Sequence, residues 1–105
     1  MPVRRYKRRY VAFRVSGLKQ FSDAEVSGAF KDAIRRVYGY HGLSKMGLKF
    51  IEFSHKEQEG IIRCNHSHIR EMRAAIALLD QISGVQVAAT VVRVSGTLRS
   101  LREPL

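Results

Sequence analysis

A single cysteine, Cys64, stands in the 105-residue chain. No intramolecular disulfide can form, and a reducing compartment suits the protein. Long apolar runs are missing too. The longest strongly apolar stretch is "AAIALL" at 74–79, far short of the roughly 20 residues that cross a bilayer. The N-terminus "MPVRRYKRRYVAFRV" starts with cations as a leader peptide does, but Arg14 interrupts the apolar run after "VAF", so no secretory core follows. These absences predict a soluble, cytoplasmic chain without membrane contact. Acidic residues are also scarce. Nine Asp and Glu face nineteen Lys and Arg, for a formal net charge of +10. Such an excess predicts a polyanionic partner, most simply nucleic acid, because neutralised phosphates release counterions. An acidic protein or an anionic membrane surface are the other partners of that sign. No internal repeat, low-complexity block or interdomain linker appears.

What is present reads as one small domain. Hydrophobic residues make up 45% of the chain, enough for a core rather than a disordered tail. Residues 1–9 form a basic arm, with Arg4, Arg5, Lys7, Arg8 and Arg9 around Tyr6; like-charge runs of this kind repel themselves. Residues 10–105 form the domain. "RYVAFRV" alternates, with Val11, Phe13 and Val15 on one side and Tyr10, Ala12 and Arg14 on the other, which predicts a strand. A helix then starts at Ser22, with Glu25 as reciprocal cap and Phe21 and Val26 as hydrophobic staple. Its apolar stripe is Val26, Phe30, Ala33, Ile34 and Val37. Gly39 and Gly42 end it and open the loop "YGYHGLSKMG". "LKFIEF" (48–53) and "GIIRC" (60–64) form a hairpin across the polar turn "SHKEQEG". Asn65 caps a second helix that runs to Ile82 and is stopped by Ser83 and Gly84. "VQVAATVVRV" (85–94) is a fourth strand, and the tail holds a short helix capped by Ser95 or Thr97 and ended by Pro104.

The order β-α-β-β-α-β predicts an α+β, ferredoxin-like or RRM-like sandwich: a four-stranded antiparallel sheet with two main helices on one face. The other face does not turn cleanly polar, so something apolar covers part of it, either the chain's own tail (Leu98, Leu101, Leu105) or a protein partner. The third strand "GIIRC" has no aromatic, which argues against the usual stacking platform for RNA bases and leaves Phe13 in the core.

The stretch "RCNHSH" places Cys64, His66 and His68 within five residues. A zinc site needs about four N or S ligands, and no second cysteine completes one, so Cys64 reads as a small buried hydrophobe. Two histidines at i, i+2 diverge and cannot flank one scissile bond. A helix N-terminus carrying His66, His68 and Arg70, with Arg63 just before it and no acid until Glu71, fits a bound phosphate held by Asn65 and free amides; a solvated basic surface with Asn65 as an ordinary cap is the bland reading. The arm likewise reads as a nucleic-acid contact, with Tyr6 and Tyr10 interleaved among arginines, or as a solubilising tail. Arg99 and Arg102 share one face of the tail helix and form a weaker backbone-contact pair.

Four motifs in register, "RRYVAFRV", "YGYHGLSKMGLKFIEF", "GIIRCNH" and "VSGTLRS", together resemble the archaeal ribonuclease P protein component 2 family, related to the eukaryotic POP-type subunit. The resemblance covers nearly the whole chain. It implies a protein subunit of the ribonucleoprotein that cleaves precursor tRNA to its mature 5′ end, with catalysis carried by an RNA and its Mg²⁺, and no cofactor or catalytic residue on this chain. It implies partners as well: ribonuclease P RNA, precursor tRNA and a TIM-barrel-like protein component 3, with a homodimer inside a heterotetramer. The matching motifs point to Arg63, Asn65 and His66, and to Ser95, Gly96, Thr97 and Arg99. Two other classes compete: a stand-alone nuclease using His66 or His68, and a ferredoxin-like RNA-binding or protein-interaction module.

Overall fold

The computed structural model describes residues 7–102. The elements run β1 (Arg8–Gly17), α1 (Asp23–Lys45), β2 (Lys49–Ser54), β3 (Glu59–Asn65), a 3-10 turn (His66–His68), α2 (Ile69–Leu78), β4 (Gln81–Ile82), β5 (Val85–Ser95) and α3 (Leu98–Arg102). The strands form one antiparallel sheet in the order β2-β3-β1-β5-β4. The sheet therefore has five strands, not the four of a ferredoxin-like sandwich. The extra strand arises where the second helix was expected to continue to Ile82. Leu79 instead turns extended, with φ −71° and ψ 110°, and α2 ends at Leu78. Gln81 then pairs with Gln86, and Ile82 with Val85. Ser83 and Gly84 between them have φ of 51° and 78°, the two left-handed residues of a tight hairpin turn. The Ser-Gly pair thus closes a hairpin rather than stopping a helix.

Alternation in β1 buries Val11, Phe13 and Val15 against the helices. Phe13 is the hub of the core. Its ring meets Phe30 of α1 edge-on at 4.7 Å, and Phe50 and Phe53 of β2 at 5.9 and 6.0 Å. Gly60 in β3 makes room for this cluster, because a Cβ there would sit 2.7 Å from the Phe13 ring and from the Glu52 carbonyl. Cys64 is fully buried in the same core.

The capping box at α1 forms as expected. Ser22 Oγ accepts from the Glu25 amide at 3.2 Å, and Glu25 Oε1 accepts from the Ser22 amide at 3.0 Å. The helix does not end at Gly39, however. Gly39 adopts φ 74° and ψ 178°, a conformation essentially reserved to glycine, and the helix resumes beyond this kink to Lys45. Val37 lies half-exposed rather than on the buried stripe, while Met46 after the kink is buried. The β2–β3 turn, read from the sequence as polar, holds the buried Gln58. Its side chain accepts from the Phe21 amide at 2.9 Å and donates to the Phe21 carbonyl at 3.1 Å, which ties that turn to the start of α1.

The tail helix forms, with Thr97 Oγ1 accepting from the Ser100 amide at 3.1 Å. It lies over β5 and β1 on the face that α1 and α2 leave open, and Leu101 is buried there. The chain's own tail therefore covers part of that face. Leu105 and Pro104 lie outside the described residues.

Candidate nucleic-acid interface

Directly opposed residues in an antiparallel sheet share a face, so the register fixes what the open face displays. The first row is Arg8 beside Asn65; the second is Lys49, Arg63, Tyr10 and Ser95, in spatial order. The third is Glu52, Ile61, Ala12 and Arg93, and the fourth Ser54, Glu59, Arg14 and Thr90. Leu101 of α3 is buried toward this face, the Leu101 carbonyl accepts from Arg93 at 3.4 Å, and Arg102 pairs with Glu52 at 2.8 Å. Arg14 pairs with Glu59. The acids of this face thus pair with Arg102 of α3 and with Arg14 of the fourth row.

The first two rows differ. Arg8, Lys49 and Arg63 carry no side-chain ion pair or hydrogen bond to other described residues. Arg63 Nε is buried and has no hydrogen-bond partner among the described residues, a costly state for a charged donor. Three strands at about 4.8 Å spacing put Lys49, Arg63 and Tyr10 within about 10 Å of one another along the row. The starts of β1 and β2 and the end of β3 meet at this rim of the sheet, which gathers further cations. Lys7 lies beside it, its carbonyl accepting from the His66 amide at 2.8 Å. Lys45 is tied in by its carbonyl, which accepts from Asn65 Nδ2 at 3.0 Å.

The expected residues therefore divide. Lys7, Arg8, Arg63, Asn65 and His66 come together at the rim. Arg8 and Arg9 lie within β1, and Arg9 is on the opposite side, opposed to Cys64. His68 and Arg70 follow on the turn and the first turn of α2. Arg99 and Arg102 sit apart on α3, and Arg102 is spent on Glu52. Arg4 and Arg5 lie outside the described residues. Asn65 does not cap a helix: its side chain makes no capping bond, being turned back to Lys45, and a 3-10 turn precedes α2. The His66 amide is likewise used internally. A phosphate cradle at that helix start thus loses two of its expected donors.

Lys49 and Arg93 were missed as members of this face, since only cross-strand register brings them to it. Cys64 faces the helices. Burial, helped by the nearby Glu71 carboxylate, pushes its thiol up to about 11, which disfavours the thiolate a metal would need. His68 Nδ1 lies 3.1 Å from Ser67 Oγ. No helix among the described residues is long and apolar enough to cross a membrane. Charge is unevenly spread: a groove of about 480 Å³ between α1 and the β4–β5 hairpin is lined by Glu25, Asp32 and Asp80 with Arg36, so the side remote from the rim is the least suited to a polyanion.

Known proteins align with this chain closely. It is 37% identical over 101 residues to ribonuclease P protein component 2 of Thermococcus kodakarensis, covering 96% of this chain and 84% of that one. The protein of the same name from Pyrococcus furiosus is 35% identical with the same coverage. A chain of the yeast ribonuclease MRP cryo-EM structure shares the fold with a TM-score of 0.72 at 16% identity, over 93% of this chain and 80% of that one. The Rpp14/Pop5 family model matches residues 9–105. The resemblance drawn from the four motifs is borne out: the chain belongs to the Rpp14/Pop5 family.

Proposed function

We propose that this chain is a non-catalytic protein subunit of ribonuclease P, the ribonucleoprotein that removes 5′ leaders from precursor tRNA. Its rim of unpaired cations binds the phosphates of the catalytic RNA and holds that RNA in its active fold. The observation that carries this is the pair of rows bearing Arg8, Lys49 and Arg63, which have no acid facing them among the described residues, on a chain of charge +10. The names of the relatives supply the enzyme. Bond cleavage belongs to the RNA and its Mg²⁺; the chain contributes charge neutralisation, orientation and a docking surface for a partner protein such as the barrel-like component 3. A cytoplasmic location fits that role.

Reconstitution tests it. Precursor-tRNA cleavage by the cognate catalytic RNA and partner subunits is measured with and without this chain. Cleavage at low Mg²⁺ is expected to rise severalfold when the chain is added, and the triple variant R8Q/K49Q/R63Q to lose most of that gain. A chain that leaves cleavage unchanged, with its partner subunits present, contradicts the proposal.

A further inference from the structure

Tyr10 sits between Arg63 and Ser95 in the second row of the open face. It is half-buried, yet it does not belong to the core cluster or to the side chains packed against it. Tyr38 packs on that core, and Arg35 lies over the ring of Tyr40 at 5.4 Å. Tyr10 makes no hydrogen bond, ring contact or cation–π contact with any described residue. Its ring therefore lies on the open sheet face beside Arg63, without a partner among the described residues. Leu101 of α3 closes the neighbouring row, where Ala12 and Ile61 lie, so the free surface around the ring is bounded on one side and cationic on the other.

A double helix offers phosphates to such a surface but keeps its base faces stacked away. An aromatic ring beside phosphate-binding cations gains only from a base that has left its stack. We propose that Tyr10 stacks on one unpaired base of a single-stranded RNA segment whose flanking phosphates lie on Arg8, Arg63 and Lys49. With no aromatic in β3, the site takes one base rather than a run of them. The inference rests on the RNA reading and narrows it to unpaired RNA at this rim.

The test uses the full chain and two synthetic RNAs of about ten nucleotides, a single-stranded oligouridylate and a blunt duplex. Affinities are measured at one fixed salt concentration for the native protein, Tyr10→Val and Tyr10→Phe. Tyr10→Val should weaken single-strand binding by about 5- to 150-fold, the loss of one stacked base, and leave duplex binding unchanged; Tyr10→Phe should retain both. Equal loss on both RNAs, or no loss on either, overturns the inference while leaving phosphate binding intact. Native protein that binds neither RNA overturns the RNA reading and this inference together. A second readout does not depend on the fold of a variant: a 2-aminopurine in the single strand should be quenched when native protein binds, and an unquenched base in the bound state overturns the inference.

Discussion

Gln58 shows how one side chain can join two elements. A glutamine in "SHKEQEG" looks like a solvated turn residue, yet it is 9% exposed with φ 55°. Its side-chain amide satisfies both the N–H and the C=O of Phe21 and donates to the His55 carbonyl, while the Gln58 backbone carbonyl accepts from the Val15 amide. Removing the side chain leaves buried backbone groups unpaired. Gln58→Ala should therefore lower unfolding stability by about 1–3 kcal/mol, read as a shift of the denaturant midpoint at constant slope. A midpoint that does not move would show that the Phe21 groups find water instead. Nothing local in the sequence marks this residue, because Phe21, which its side chain bonds twice, is 37 positions away. Cys64 is different: with no second cysteine to complete a metal site it already read as a small buried hydrophobe, and it is fully buried.

At the scale of elements, local signals and nonlocal ones part company. The alternation of β1 and the Ser22–Glu25 capping box are short-range patterns, and both formed as expected. Gly39 was expected to end α1, but a single glycine can equally kink a helix, and Met46 beyond it is anchored in the core. Ser83–Gly84 could stop a helix or turn a hairpin, and pairing with β5 decides for the hairpin. That hairpin also acts on the α1 cap. Ser83 Oγ donates to Glu25 Oε2 at 2.7 Å, and this bond, with the Ser22 amide and then Lys19, holds the Glu25 carboxyl down from 4.5 to about 2. Between those values the unfolded chain binds more protons than the folded one. The contribution is complete above about pH 4.5 and is lost as pH falls through about 2. The difference in melting temperature between native protein and Glu25→Gln should accordingly be largest above pH 4.5 and shrink toward pH 2. A difference independent of pH across that range would mean the cap does not depend on the carboxylate.

At the scale of the molecule, function follows from where charge is left uncompensated. Composition alone predicted a polyanion partner, and the basic residues of "RRY" and "IIRCNH" were legible as part of the proposed contact. The shape of the site was not, because it is set by strand register. Only pairing of β2 with β3, and of β3 with β1, puts Lys49, Arg63 and Tyr10 in one row. Arg102, equally basic in the sequence, lies on α3 and is paired with Glu52. The central claim is that the unpaired cations, rather than cations in general, hold RNA. The salt dependence of RNA affinity tests it most directly, since each phosphate contact adds about 0.7–0.9 to the slope of log affinity against log salt. Removing all three contacts in R8Q/K49Q/R63Q should reduce that slope by about 2–3, whereas Arg14→Gln, which removes a cation already paired with Glu59, should change it by less than about one contact. A triple variant with the native slope, or an Arg14→Gln variant that flattens it as much, would contradict the account.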